Sequence, residues 1–351
     1  MSRKPSRNLW NCGLAAAAMC IAACGSNPSA STPPSSGSGA TASSQAASGP
    51  MLGAWWDSDR KGIRAIYGIA GAAQQGPPTY ADGAFSGAAV CARSSVAILT
   101  SSSGEMYLAH LPLGRPTVIA TYGVPSPTIA FSPSCGASIA YTRGGSKALL
   151  IQGLLSVPRI SAVTLPTGVS DARVSDAGAI LAAVPATDGS AAIKVLADGS
   201  ATSQPVTVLS RFGGMAFLPG VDSAALADAA ANTVIEASHL TGNVSLAQIA
   251  GDGDGVANPV AVAVSADGRW VTVANGKGSS VLRLDLTGQA APLRAVCRCS
   301  PTELDPLAGN LAFRITEPGS GTVWAFDGNG PAPRIVFLPA EPVSAGQGAR
   351  R

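Results

Sequence analysis

From residue 51 onward the chain alternates short apolar runs with breaks rich in Gly, Asp, Asn and Ser. The clearest unit is Asn258-Pro259-Val260-Ala261-Val262-Ala263-Val264-Ser265, a break at Ala266-Asp267-Gly268-Arg269, then Trp270-Val271-Thr272-Val273-Ala274-Asn275. After Gly276-Lys277-Gly278 a third run follows, Ser280-Val281-Leu282-Arg283-Leu284-Asp285-Leu286. Apolar runs of this length, rich in β-branched residues and interrupted by Asp-Gly or Asn-Gly, predict antiparallel hairpins. Similar pairs recur at Thr128–Ser132 with Ser138–Tyr141, at Ala172–Ser175 with Ala179–Ala182, and at Gly214–Phe217 with Ala224–Ala227.

The recurrence has a period. Taking the centre of each second strand as a ruler marks Trp55, Ile98, Ala140, Leu181, Leu226, Val273 and Phe313, which lie 40 to 47 residues apart. A period near 43 with about four strands per unit predicts an all-β chain folded as a β-propeller of seven blades. The ruler at Trp55 needs an inner strand about ten residues earlier, where the chain is a Ser/Ala tract. Ring closure is therefore expected near the termini, by strand sharing, with Pro331 to Leu338 beside the N-terminal strands. Six blades plus an appendage is the alternative. The unit at 258–286 resembles the YVTN-type repeat of the WD40-like propellers, with Val273-Ala274-Asn275 where that motif ends in Val-Thr-Asn. The Gly-His and Trp-Asp marks of true WD40 repeats are missing, so this resemblance implies a fold more than a family.

Composition sharpens the picture. Gly 41, Pro 26 and only 12% charged residues suit many short strands and tight turns, and not a helical bundle. Residues 1–23 read as a secretory signal: a basic start (Arg3, Lys4, Arg7), an apolar run from about Leu14, and a small-residue exit. The apolar run is about half the ~20 residues that a spanning helix needs. Ile21-Ala22-Ala23-Cys24 resembles the lipobox of bacterial lipoproteins. That resemblance implies cleavage before Cys24, diacylation of its sulfur and acylation of the new N-terminus. Gly25 at the next position implies outer-membrane sorting in the bacterial cell envelope, with the membrane as a partner through the lipid anchor. Ala17-Ala18-Met19-Cys20 is a weaker rival. More than one acyl chain makes such an anchor stable. Residues 24–50 follow as the acylated Cys and an uncharged Ser/Ala/Gly/Pro tether, expected to be disordered and to hold the domain about 25–30 Å from its anchor. The domain proper is assigned to 51–340 and a flexible tail to 341–351. Once Arg3, Lys4 and Arg7 are removed, 20 basic residues face 20 acidic ones. That balance excludes nucleic acid as a partner.

An exported chain is free to form disulfides. Overlaying the units places Cys91 level with Pro133, two residues from Cys135, so a Cys91–Cys135 bridge between adjacent blades is expected. Cys297-Arg298-Cys299 puts two thiols on one strand face, which favours a kinked structural bridge over a redox or metal dithiol. His110 and His239 stand far apart and predict no metal site. Gly251-Asp252-Gly253-Asp254-Gly255 begins like a calcium loop, but counting from Asp252 the twelfth position is Ala263, and an ordinary turn is favoured. No G-x-S-x-G elbow and no phosphate loop occurs, so neither a catalytic set nor a cofactor is predicted. Trp55-Trp56 is expected to serve packing. The loops expected to share one face offer Arg143, Arg173, Arg211, Asp254, Asn258, Asn275 and Lys277, a candidate binding rim more cationic than acidic. The function expected from all this is a binding or scaffold module for an envelope protein, peptide or glycan. The alternative is a propeller-type hydrolase such as a sugar lactonase, a class that uses carboxylates at the channel mouth.

Overall fold

The computed structural model describes residues 49–198, 200–317 and 323–339. The expected signal peptide, Cys24, most of the tether and the C-terminal tail lie outside the described residues.

Seven antiparallel sheets follow one another along the chain. Blade one holds β1 (Met51–Asp57), β2 (Gly62–Ile69) and β3 (Ala72–Thr79). Blade two holds β4 (Phe85–Cys91), β5 (Val96–Ser101), β6 (Glu105–His110) and β7 (Thr117–Thr121). Blade three is β8 (Thr128–Phe131), β9 (Ala137–Tyr141), β10 (Lys147–Gln152) and β11 (Arg159–Thr164). Blade four is β12 (Asp171–Val174), β13 (Ile180–Pro185), β14 (Ala191–Leu196) and β15 (Gln204–Leu209). Blade five is β16 (Phe212–Phe217), β17 (Ser223–Asp228), β18 (Thr233–Ser238) and β19 (Ser245–Ala250). Blade six is β20 (Pro259–Val264), β21 (Trp270–Asn275), β22 (Ser280–Asp285) and β23 (Leu293–Val296). Blade seven is β24 (Glu303–Pro306), β25 (Ala312–Thr316), β26 (Val323–Asp327) and β27 (Arg334–Leu338). Each blade is a simple meander, and the protein is a seven-bladed β-propeller.

The hairpins are set by local chemistry. In blade six, Asp267 Oδ1 accepts the Arg269 N–H at 3.0 Å and Ser265 Oγ accepts the Trp270 N–H at 2.9 Å. Gly268 takes the left-handed conformation (φ 73°) that closes the turn. Alternation then sends one face of each strand against the next blade. The described residues form seven apolar clusters, and each joins two neighbouring blades. A meandering blade cannot bury both faces alone, so the cores between blades are what stabilises the ring. The cluster of Ile66 and Ala73 with Leu307, Ala325 and Leu338 packs blade seven onto blade one and completes the circle.

Ring closure joins blades seven and one, and among the described residues no strand is shared between them. Trp55 lies on β1, the inner strand of blade one, and not on a second strand. The axial place in blade one is therefore filled, and among the described residues blade one has three strands with none outside β3. The chain ends cross by contact: Pro339 O accepts the Gln75 N–H at 3.1 Å, Leu338 O accepts Gln75 Nε2 at 2.9 Å, and Ala70 O accepts Arg334 Nη2 at 3.0 Å. Pro77 and Pro78 leave the outer edge of β3 short of donors, which blunts it against further strand pairing.

Candidate functional site

The inner strands β1, β4, β8, β12, β16, β20 and β24 surround a cavity of about 550 Å³. Two of them bring charge into it by alternation. On β12, Ala172 and Val174 join the core between blades three and four, while Asp171 and Arg173 line the cavity. On β24, Leu304 enters the core between blades six and seven, and Glu303 and Asp305 line the cavity. Arg143, on the loop after β9, and Arg314, on β25, complete the set.

These groups hold one another. Asp171 accepts the Tyr141 hydroxyl at 3.0 Å through Oδ1 and Arg173 Nε at 3.2 Å through Oδ2. The same Tyr141 oxygen accepts the Ala172 N–H at 3.0 Å. Asp305 Oδ2 takes Arg314 Nη2 at 2.5 Å and Thr316 Oγ1 at 2.9 Å, and the Arg314 guanidinium lies 5.5 Å from the centre of the Trp55 ring. Arg143 Nη2 stands 4.0 Å from Glu303 Oε1, a longer and exposed pairing. Blade three reaches blade seven in this pair, across the axis of the ring.

Electrostatics follow from that crowding. Burial, and then the charges of Asp305 and Asp171, push the Glu303 carboxyl above the usual carboxylate range, against the lowering effect of Arg173 and Arg143. Asp171 holds the Arg173 guanidinium more firmly charged than an isolated one, with burial opposing. Tyr141 is driven well above the ordinary phenol range, first by burial and then by Asp171. Further along the channel, Arg93 crosses from blade two to two other blades, donating to Pro133 O at 3.2 Å and Val264 O at 2.7 Å. Burial lowers its pKa, and the charges of Asp176 and Asp267 oppose that shift. Trp55 and Arg93 belong to the cavity wall, but their Nε1 and Nε atoms are shielded from it and have no hydrogen-bond partner among the described residues.

Of the residues expected on the rim, Arg143 and Arg173 line the cavity. Arg211 and Asn258 meet each other, Nη2 to Oδ1 at 2.6 Å, away from the cavity wall. Asn275 is fully buried inside blade six: its Oδ1 accepts the Ala257 N–H at 3.0 Å and its Nδ2 donates to Gly255 O at 3.0 Å. It fastens the loop entering its blade and is not available at a rim. Lys277 is exposed on the turn between β21 and β22, and Asp254 Oδ2 accepts the Gly251 N–H at 2.9 Å within its own short turn. Cys91 and Cys135 are joined, with Cα atoms 6.0 Å apart, and so are Cys297 and Cys299, at 5.1 Å. Among the described residues no group of three or more His, Cys, Asp or Glu is placed to hold a metal ion. Asp171, Glu303, Asp305 and Arg314 escaped the sequence reading. The signal was there in the alternations Asp171-Ala172-Arg173-Val174 and Glu303-Leu304-Asp305, each one hairpin ahead of a second-strand ruler.

Tyr141 is the fully buried link between the core and this charge set. Tyr141→Phe leaves the Ala172 N–H unmatched and removes a donor from Asp171, an expected loss of about 1–3 kcal/mol in chemical denaturation. A loss below the error of the measurement would mean that solvent reaches both groups.

No protein-family model matches the chain, and no curated protein matches it. Solved structures do. A functionally unknown protein from Desulfotomaculum acetoxidans DSM 771 superposes with a TM-score of 0.55 at 15% identity, over 83% of this chain and 100% of that one. A streptogramin B lyase structure gives 0.50 at 15% identity, over 72% and 81%. A catalytically inactive virginiamycin B lyase from Staphylococcus aureus, with quinupristin, gives 0.50 at 15%, over 71% and 82%. The structural neighbours of this propeller thus include lyases, and at this identity the likeness extends to the fold alone.

Proposed function

We propose that this chain is a lipid-anchored binding module of the bacterial cell envelope. In this reading it is a YVTN-like propeller tethered to the outer membrane through Cys24, and it presents its channel mouth to an envelope protein, peptide or glycan. One observation carries the reading. Three arginines and three carboxylates from blades three, four and seven meet at the cavity, and most are already fixed by one another or by Tyr141 and Thr316. A preorganised set of charges recognises a partner by complementarity at small entropic cost. The lipobox-like segment and the tether support the location, and the neutral balance of the mature chain supports a partner other than nucleic acid. Neither His lines the cavity, so no Ser/His/Asp-type nucleophile is assembled there among the described residues.

A second reading, a propeller-type hydrolase such as a sugar lactonase, draws on Glu303. It is the one carboxyl of the set that no arginine holds within hydrogen-bond distance, and its raised pKa suits a general acid. One experiment separates the two. Tagged full-length protein is purified from cross-linked, detergent-solubilised envelopes of its host beside a Cys24→Ala control. The binding module yields a stoichiometric partner that disappears with the anchor. An empty purification, together with lactone turnover that Glu303→Gln abolishes, replaces the module by the hydrolase.

A further inference from the structure

We infer that the channel cavity takes a small carboxylate-bearing ligand of about monosaccharide size, a uronic acid in chemical class, with its anion between Arg143 and Arg173. The inference rests on the binding-module reading and deepens it by naming what the mouth recognises.

Two arginines of the cavity keep unspent donors, and among the described residues the Glu303 carboxylate, 4.0 Å from Arg143, is the wall acceptor that has no hydrogen bond. Arg173 spends Nε on Asp171, and among the described residues its terminal nitrogens make no hydrogen bond, though the Glu303 charge also acts on the guanidinium. Among the described residues Arg143 makes no hydrogen bond, and it stands 4.0 Å from Glu303. On the other side of the balance, Asp171 is met by Tyr141 and Arg173, and Asp305 by Arg314 and Thr316. A ligand that brings acceptors and negative charge therefore matches what the walls leave open, whereas a cation would have to compete with arginines already in place. Guanidinium groups are the side chains best fitted to a carboxylate, through paired N–H donors.

Size and wall chemistry narrow the class. A cavity of about 550 Å³ falls within the range that binds small molecules. Trp55 and Trp56 both line it while packing into the cores on opposite sides of blade one, and each offers an apolar patch to the C–H groups of a sugar ring. Glu303 sits beside Arg143 as the resident competitor. A ligand carboxylate must displace or outweigh it, so the two variants on this pair are expected to act in opposite directions.

The test is titration calorimetry on the detergent-solubilised full chain with D-glucuronate, D-galacturonate and trigalacturonate, each beside its uncharged methyl ester. The free acids and the trisaccharide distinguish a metabolite from the end of a glycan. At least one acid is expected to bind below millimolar Kd, with its ester at least tenfold weaker. Arg143→Gln, at an exposed position, is expected to weaken that binding tenfold or more, and Glu303→Gln to tighten it about three- to tenfold. A purely structural role for either residue gives no such opposition. Failure of all three acids, equal binding of an ester, or an unchanged Kd in Arg143→Gln overturns the inference. Recovery of an envelope partner in the face of such a failure leaves the module standing, whereas uronate binding with no envelope partner upholds the ligand site and removes the scaffold role.

Discussion

The double substitution Cys91→Ser, Cys135→Ser is expected to lower the unfolding free energy by about 4 kcal/mol, measured by urea denaturation of the oxidised parent and the variant. The bridge spans 44 residues, so in the unfolded chain it closes a loop that costs considerable chain entropy, and the folded ring holds the two ends together anyway. Geometry adds to the effect. Cys91 ends the inner strand β4, Cys135 sits in the hairpin between β8 and β9, and both belong to the apolar cluster that joins blades two and three. Serine hydroxyls in that cluster carry a desolvation cost of their own, so the alanine pair is expected to lose somewhat less than the serine pair. Unfolding of the variants is also expected to show a steeper denaturant dependence, because the unbridged chain exposes more surface. A loss under about 1 kcal/mol would show that the cores between blades, and not the crosslink, hold this pair of blades in register. Cys297–Cys299 closes a loop of only two steps along the chain, and its removal is expected to cost far less.

What was legible in the sequence was whatever repeats with the blade. Six of the seven second-strand rulers fall on second strands, because short turns rich in Gly, Ser, Asp and Pro end each first strand and the alternation on either side decides which face is buried. Trp55 failed as a ruler because its apolar run, Met51–Asp57, has the same texture as any second strand. Only the three-dimensional ring reveals that it lines the axis. The Cys91–Cys135 pairing was legible for the same reason as the period: residues at matching heights in adjacent blades are neighbours. The channel mouth was half legible. Arg143 and Arg173 stand out as charges in a chain with few, but Glu303, which Arg143 faces, comes from a blade more than 100 residues away. A one-dimensional reading cannot show that blades three, four and seven face one another across an axis. Asn275 failed for the opposite reason: a polar residue at a strand end looks exposed in sequence, and its burial depends on backbone groups of the preceding loop.

Asp228→Ala is expected to cost about 3 kcal/mol, because one carboxylate serves as a terminus for four backbone donors. Its Oδ2 accepts Ser210 N–H at 2.6 Å, and its Oδ1 accepts Arg211, Ala230 and Ala231 N–H at 3.2, 3.0 and 3.0 Å. Asp228 is the last residue of β17, and Asn275, 47 residues on, is the last of β21. Both ends of second strands therefore fasten the loop by which the chain enters the blade. Asn can accept through only one oxygen, so Asp228→Asn is expected to fall between the parent and the alanine variant. The charge gives a second test. Burial raises the Asp228 pKa, but the four backbone donors outweigh it and the net shift is downward. A folded-state pKa below the unfolded value of about 3.9 means that this stabilisation is complete above pH ~4 and is lost as pH falls through the depressed value. The stability gap between parent and Asp228→Ala, followed by denaturation from pH 7 downward, should hold constant to about pH 4 and shrink below it. A gap that stays constant below pH 4 would assign the cost to packing and shape, and would remove the carboxylate charge from the account of how blade five is locked to the chain that enters it.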